Sequence, residues 1–460
     1  IGSGPGTSEQ FFGGDLWGVI EHLDHLKSIG VNLVYLTPMF PGTSNHRYDA
    51  SSFHQIDPLL GGNKAFEELI KQAHKRGMKV IGDLTSNHSG DQHEWFKASF
   101  KKPGAPESDF YYFSEKNTKY DAWFGVPSLP KFNWKSEELR KRFIKGRNSV
   151  VAKWLKAPYG MDGWRIDVAN MTGRIREEDM YLDVAQTIRK TMVDINPDTI
   201  MLGEYTGDAA YEVQGDGWQG AMTYSNFTKP VWRWFYSEAK EKVRAKTQPN
   251  SLLPGFTWVD GRQKGDGREL VASYQQFIAA FPWHVRLCNM NPLDTHDIPR
   301  FKTYALDGSQ KVAAAMQFTF PGIPVIWAGD EFGLDGFNGE HSRSPLPWNG
   351  ELPTDKTLMK AYADLAKLRK ENSALNDGSM RFVYASAEAI VYVRENAKQT
   401  IVVAVTRGED KNIKLPKDAV PGLAKAENIF GKGKIKLVDG KLHLPGDKLT
   451  ANVWRLRATK

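Results

Sequence analysis

The sequence predicts an α/β fold, namely a (β/α)8 TIM barrel with an inserted lobe, followed by an antiparallel β-sandwich domain. Two observations favour the barrel. Short apolar runs alternate with segments of helical periodicity, and an acidic or other polar residue stands at or just past the carboxyl end of each run. From about Arg381 onward the pattern changes to two-residue alternation, which indicates antiparallel strands.

The first predicted elements are two helix–strand units. Residues 16–28 carry apolar side chains at helical spacing, Gly30 stops the helix, and residues 31–36 are rich in strand-forming residues. Residues 66–76 repeat the helical pattern and are followed by an apolar run at residues 79–83. Each unit therefore predicts one helix and the strand that comes after it.

Five more strands and three more helices continue the alternation. The strands are predicted at Gly163–Asp167, 199–203, 221–224, 290–294 and 324–327, and the helices at 136–154, 180–193 and 309–318. Seven strands are one fewer than the barrel needs. Because the chain opens in a loop rich in Gly, Ser and Pro, we expect the first strand to lie upstream of Ile1.

The pattern also predicts domain limits. We expect the barrel at residues 1–87 and 136–378. Residues 88–135 break the alternation with Phe, Tyr and Trp among Gly and Pro, which indicates a lobe inserted after the third barrel strand. Residues 379–460 are expected to form the sandwich, with glycine-containing turns between their strands.

Composition argues against several classes of function. The net charge is +7, but Lys and Arg are spread along the chain among Asp and Glu, so we expect no nucleic-acid partner. No apolar run reaches 18 residues, so we expect no membrane span. Cys288 is the only cysteine, which excludes an intrachain disulfide and favours the cytoplasm over secretion. The natural amino terminus, with any targeting signal, is expected to be missing.

Two of the strand-end acids have neighbours that suit catalysis. Arg165 and Asp167 share one face of their predicted strand, because side chains alternate along a strand. A neighbouring guanidinium would keep Asp167 ionised, as a nucleophile requires, although a buried structural ion pair explains the same pattern. Glu204 follows the apolar residues 200–202, where partial desolvation would suit a proton donor; an acid at a helix start is the alternative.

A histidine–aspartate pair, His296 and Asp297, follows a further strand. No serine stands in a nucleophile-elbow pattern, so a Ser-His-Asp hydrolase is not expected. The histidines of the chain lack zinc-ligand spacing, so no catalytic zinc is expected. Hydroxyl binding by His296 and charge stabilisation by Asp297 remain as interpretations.

Several segments, in order along the chain, resemble the motifs of the α-amylase superfamily (glycoside hydrolase family 13). The similarity extends from about Phe11 to Trp348. The style of the motifs is that of neopullulanases and cyclomaltodextrinases. The similar segments are residues 45–49, which contain a tyrosine that stacks on the sugar in the family, residues 83–88, residues 129–133, Gly163–Asp167, Glu204 and His296–Asp297.

The resemblance implies a retaining glycosidase that acts on α-glucosidic bonds. In this family Asp167 would attack the anomeric carbon, Glu204 would protonate the leaving oxygen, and Asp297 would hold the sugar hydroxyls. Asp83 would support Arg165 rather than touch substrate. The residues expected to contact or orient the substrate and the nucleophile are Tyr48, His88, Arg165 and His296.

Some positions depart from the family pattern. Beside the site, commoner residues of the family are replaced by Ser86, Tyr205 and Ile298. These changes remove no catalytic group, but they leave the substrate preference open. Calcium is common in the family, and Asn87 and Asp15 resemble positions that can bind it. Calcium needs six to eight oxygen ligands, so we assign no metal site and expect no required cofactor.

The resemblance leaves alternatives open. The predicted activity is hydrolysis of α-glucosidic bonds in maltooligosaccharides or in cyclic or branched α-glucans. The expected partner is an α-glucan oligosaccharide substrate, and the sequence is compatible with a homodimer. A transglycosylase would share the covalent intermediate and differ only in the acceptor, for which aromatic residues of the lobe such as Trp95, Trp123 and Phe124 are candidates. The third interpretation is a non-catalytic barrel subunit. Such proteins normally lose one or more of the three acids, whereas Asp167, Glu204 and Asp297 are all present here.

Overall fold

The structure, a computed structural model, describes residues 7–247 and 265–457. These residues form two compact units. The amino-terminal unit comprises the described residues up to Tyr205 together with Glu212–Met222. The carboxyl-terminal unit comprises Thr206–Tyr211 and the described residues from Thr223 onward.

The centre of the amino-terminal unit is a parallel sheet. Strand Gly163–Asp167 pairs on one side with Lys79–Thr85 and on the other with Ile200–Tyr205. Leu33–Tyr35 lies beyond Lys79–Thr85, and Gly220–Thr223 lies beyond Ile200–Tyr205. Every residue of Gly163–Asp167 is buried, as expected for a parallel strand covered on both faces.

The helices of this unit follow the predicted order, but two of the four predicted helices are each divided into two. The predicted helix at residues 136–154 is two helices, because Gly146 adopts a left-handed conformation (φ +82°) and the Ser149 side chain caps the second. The predicted helix at residues 16–28 likewise divides at His22. The α-helices are Leu16–Glu21, Leu23–Ser28, Gly62–Lys75, Glu94–Ser99, Glu137–Phe143, Val150–Leu155 and Tyr181–Ile195.

Residues 88–135 contain little regular structure besides Glu94–Ser99. Two short strands, Phe113–Ser114 and Lys119–Tyr120, form a hairpin. Trp95 is buried against other aromatic rings and therefore belongs to the core of this segment, whereas Phe124 is 76% exposed. A second hairpin, Arg174–Ile175 with Glu178–Asp179, lies further along the chain.

The carboxyl-terminal unit begins with further helix–strand alternation. Met290–Pro292 and Ile323–Val325 pair in parallel, with Met290 opposite Ile323. A π-helical segment, Tyr224–Thr228, precedes the helices of this unit. These α-helices are Lys229–Phe235, Glu238–Thr247, Gly267–Ile278, Trp283–Cys288, Phe301–Tyr304, Gln310–Thr319, Gly339–Ser342, Lys356–Glu371 and Ser373–Asn376.

The end of the chain is antiparallel, as the two-residue alternation predicts. Five strands form one sheet in the order Ser379–Ala385, Ala389–Glu395, Gln399–Thr406, Thr450–Arg457, Glu427–Phe430. A second sheet has the order Lys414–Pro416, Lys441–His443, Lys436–Val438. Buried side chains from both sheets, among them Val402, Leu442 and Trp454, share one hydrophobic core.

Within the described residues, no helix combines the length and the apolar character that crossing a bilayer requires.

The domain limits expected from the sequence, at residues 87/88, 135/136 and 378/379, stay a prediction.

Candidate active site

Arg165 is the centre of a buried charge cluster at the carboxyl ends of the strands. Its Nη1 lies 2.9 Å from both carboxylate oxygens of Asp83 and 3.3 Å from Oδ1 of Asp167. The contact with Asp83 follows from strand register, since the two residues are directly paired. The side chains of Arg165 and Asp83 are 0% exposed, so the pair is shielded from water.

The same guanidinium also reaches Glu204 on the neighbouring strand. Arg165 Nη2 lies 3.1 Å from Glu204 Oε2, and the backbone N–H of Val168 donates to that oxygen at 2.8 Å. Val168 adopts φ +46°, which is rare for a β-branched residue and costs ~1–3 kcal/mol. This conformation occurs directly after Asp167, and it is the Val168 N–H that binds Glu204.

The charge state of Arg165 is fixed by these neighbours. Burial alone would lower the pKa of its guanidinium, but the negative charges of Asp83 and Glu204 oppose burial and hold the pKa well above its ordinary value. Arg165 is therefore a permanent cation between carboxylates. Removing it would leave these buried carboxylates without the cation that they share, which is among the costliest changes to a protein interior.

Tyr48 joins this cluster through its hydroxyl group, which donates to Asp83 Oδ2 at 2.8 Å. Tyr35 donates to the same oxygen at 2.7 Å. Asp83 thus binds two phenols and the guanidinium, which agrees with a supporting role rather than substrate contact. The expected stacking of Tyr48 on a sugar stays a prediction.

His88 follows the end of strand Lys79–Thr85 and is buried. Its Nδ1 lies 3.1 Å from Nδ2 of Asn87. Burial, reinforced by the positive charge of Lys131, lowers the pKa of His88 to about 3. The imidazole is consequently neutral near neutral pH, so it can offer a hydrogen bond to a hydroxyl group but no positive charge.

In the carboxyl-terminal unit, His296 and Asp297 contact each other. The His296 Nε2 atom lies 3.2 Å from Asp297 Oδ2, and the Asp297 side chain is 27% exposed while His296 is buried. Arg343, which sequence reasoning missed, donates from Nε to the His296 carbonyl at 2.9 Å and has Nη2 3.7 Å from Asp297 Oδ1. Arg343 follows a helix of only four residues, Gly339–Ser342, which is too short for a periodic pattern to predict.

Asp330 and Glu331 are buried in the same unit and have structural partners. Arg300 Nη1 lies 2.8 Å from Asp330 Oδ1, and Glu331 accepts from the Gly329 N–H at 2.7 Å. Burial, and then the negative charge of Asp294, raise the pKa of Asp330 well above its ordinary value. Both acids therefore have structural hydrogen-bond partners in this unit.

The structure thus brings Tyr48, Arg165, Asp167 and Glu204 together through direct contacts with one another or with Asp83. The three departures from the family pattern are all buried: Ser86 lies 2.9 Å from Thr172, Tyr205 bonds to Tyr181, and Ile298 is 0% exposed.

Residues 3–351, more than two thirds of the sequence, match the family profile described as the alpha amylase catalytic domain. The chain belongs to the alpha-amylase family. It is 31% identical to a cyclomaltodextrinase from a Bacillus species over 88% of this chain and 67% of that protein. It is 30% identical to neopullulanase 2 from Thermoactinomyces vulgaris, over 93% of this chain and 70% of that protein.

The fold agrees with that of solved members of the alpha-amylase family. A debranching enzyme from Nostoc punctiforme superimposes with a TM-score of 0.82 at 26% identity, covering 97% of this chain and 90% of that chain. The predicted fold class, a (β/α)8 barrel with a C-terminal antiparallel domain, is confirmed, and the chain is a glycoside hydrolase of this family. It spans about two thirds of the length of the curated relatives named above.

Proposed function

We propose that this chain hydrolyses α-glucosidic bonds in maltooligosaccharides or in cyclic or branched α-glucans, with retention of anomeric configuration. The observation that carries the proposal is the shared guanidinium: Arg165 contacts both Asp167 and Glu204. The guanidinium lies 3.3 Å from Asp167 Oδ1 and 3.1 Å from Glu204 Oε2, so the two carboxylates are neighbours. A retaining enzyme needs its nucleophile and its acid ~5–5.5 Å apart, whereas an inverting enzyme needs a wider gap for water.

In the first step Asp167 attacks the anomeric carbon and the bond to the leaving oxygen breaks. Glu204 gives its proton to that oxygen, and a glycosyl ester of Asp167 forms. Arg165 orients Asp167 during the attack. The Val168 N–H and Arg165 both bind Oε2 of Glu204, so in this proposal Oε1 is the oxygen that faces the leaving group.

In the second step water attacks the anomeric carbon, and the bond between that carbon and Asp167 breaks, which frees the Asp167 carboxylate. Glu204, now itself a carboxylate, accepts the proton of that water. Asp297 holds sugar hydroxyls and stabilises the positive charge that develops at the ring, with His296 and Arg343 fixing its carboxylate. His88, being neutral, binds a hydroxyl group by hydrogen bonding, and Tyr48 stacks on the ring. A sugar hydroxyl in place of water would give transglycosylation.

A panel of α-glucans tests the substrate range. The names of the relatives, cyclomaltodextrinase and neopullulanase 2, support a panel of maltotriose, a cyclodextrin and pullulan, with cellotriose as the β-linked control. We expect release of glucose, maltose or panose from at least one α-glucan, measured by chromatography. Products longer than the substrate would favour the transferase. Cleavage of cellotriose alone would contradict the proposal.

A further inference from the structure

Lys131, in the 129–133 motif, is a buried lysine that the proposed chemistry does not use. Its side chain is buried, with the residue only 5% exposed. Its ammonium group donates to Oδ1 of Asn87, and to the backbone carbonyl of Met171 at 3.0 Å. Both acceptors are neutral oxygens.

The ammonium joins three separate segments of the chain. Lys131 forms an antiparallel bridge with His88, and the N–H of Phe132 donates to the Asn87 carbonyl at 3.0 Å. Met171 ends the 3-10 turn Ala169–Met171, which begins two residues after Asp167. One side chain therefore links residues 129–133, the end of strand Lys79–Thr85 and the turn behind the nucleophile.

A buried ammonium without a paired carboxylate is energetically costly. Among residues 7–247 and 265–457, no carboxylate lies within ion-pair distance of Lys131. Burial lowers the pKa of its ammonium to about 8, and the charge of Asp121 opposes this effect. The oxygens of Asn87 and Met171 must replace the water that the ammonium loses on burial, as oxygen ligands do for a bound metal ion.

The residues that resemble calcium ligands do not fit calcium here. Asn87 Oδ1 is taken by the Lys131 ammonium, and the Asp15 carboxylate accepts the Gly18 N–H at 2.8 Å at the start of a helix. Calcium requires six to eight oxygen ligands. The described residues contain no cluster of three Asp, Glu, His or Cys side chains arranged to hold a metal ion.

We propose that the Lys131 ammonium is an internal cation that holds His88 and the turn after Asp167 in place, at a junction that binds no calcium. Lys131 is then a positioning residue: it acts on the nucleophile through the Met171 carbonyl and on His88 through Asn87. Positive charge at this junction comes from the chain itself.

The first test compares Lys131→Met with Lys135→Met. Lys135 is an exposed lysine four residues away whose Nζ lies 2.6 Å from Glu178, and such surface pairs contribute little to stability. We expect Lys131→Met to lower Tm by ~5 °C or more, and Lys135→Met by at most ~2 °C. Well below the lower Tm, Lys131→Met should lower kcat ~10-fold or more with a smaller change in KM, because misplaced groups slow the reaction more than they weaken binding.

Equal Tm and kcat in the two variants would overturn the proposal. If Lys131→Met does not fold, Lys131→Gln, which keeps a neutral donor, is compared with Lys135→Gln in the same way. The Tm comparison does not depend on the proposed activity, so failure of one is distinguishable from failure of the other.

The second test asks whether Asn87 binds calcium. The rise in Tm on changing from EDTA to excess calcium is measured for the unsubstituted chain and for Asn87→Ala. We expect calcium to change Tm by the same amount in both proteins, because any calcium bound elsewhere is unaffected by Asn87. That shared change includes the case in which calcium raises neither Tm. A calcium-dependent rise that disappears in Asn87→Ala would overturn the proposal.

Discussion

Replacing Asp167 by Asn should lower kcat for maltooligosaccharide cleavage by ~10⁴-fold or more, with little change in Tm. The amide cannot form the glycosyl ester, and loss of a nucleophile commonly has effects of this size. Arg165 keeps Asp83 and Glu204 as charged partners in the variant, so the fold should survive. Reducing-sugar release and a thermal melt measure both quantities.

Asp162→Asn is the matched control for that experiment. Asp162 precedes the same strand at its opposite end, is also buried, and lies 2.7 Å from His74 Nε2 and 3.0 Å from Lys79 Nζ. We expect this variant to lose stability while keeping kcat within ~3-fold, since it lies away from the proposed carboxylates. If Asp167→Asn retained kcat as well as the control does, Asp167 would not be the nucleophile.

Replacing Glu204 by Gln should separate the two steps of the reaction. For maltotriose, whose leaving oxygen needs a proton, we expect kcat to fall by ~10²–10⁴-fold, the usual contribution of general acid–base catalysis. For α-glucosyl fluoride, whose leaving group needs less protonation, the first step should stay fast and the second should be slow. Stopped-flow measurement should therefore show a burst of about one fluoride per chain before slow turnover.

Glu212→Gln provides the comparison for Glu204. Glu212 lies in the same unit, and its Oε1 binds Arg174 at 2.6 Å, away from the Arg165 cluster. This variant should show neither the loss of kcat nor the fluoride burst. An equal loss of kcat for both substrates in Glu204→Gln, without a burst, would argue against its role as acid and base.

The local part of the site was predictable from sequence. Two-residue alternation placed Arg165 and Asp167 on one face of a strand, and in the structure Arg165 Nη1 lies 3.3 Å from Asp167 Oδ1. The apolar run before Glu204 predicted a strand, which is Ile200–Tyr205. These relations depend on neighbours within a few residues, which a periodic pattern reveals.

Contacts between distant segments were not predictable. Arg165 reaches Glu204 because their strands pair, and a single sequence contains no sign of that register. The left-handed conformation of Val168 was not predictable, because glycine and asparagine, not valine, are the residues that favour it. The contacts of the Lys131 ammonium were not predictable either, since the oxygens that accept its hydrogen bonds come from positions 44 and 40 residues away.

Asp167 is proposed to form a covalent bond to the sugar, and trapping that bond would identify the nucleophile. Glu204→Gln is incubated with α-glucosyl fluoride, quenched in acid, and digested with trypsin under conditions that keep esters intact. Cleavage after Arg165 and Arg174 yields peptide 166–174, in which Asp167 is the sole side-chain carboxylate. We predict that this peptide gains the mass of one glycosyl group. A burst of fluoride with peptide 166–174 unmodified, or with the added mass on another peptide, would show that Asp167 is not the nucleophile.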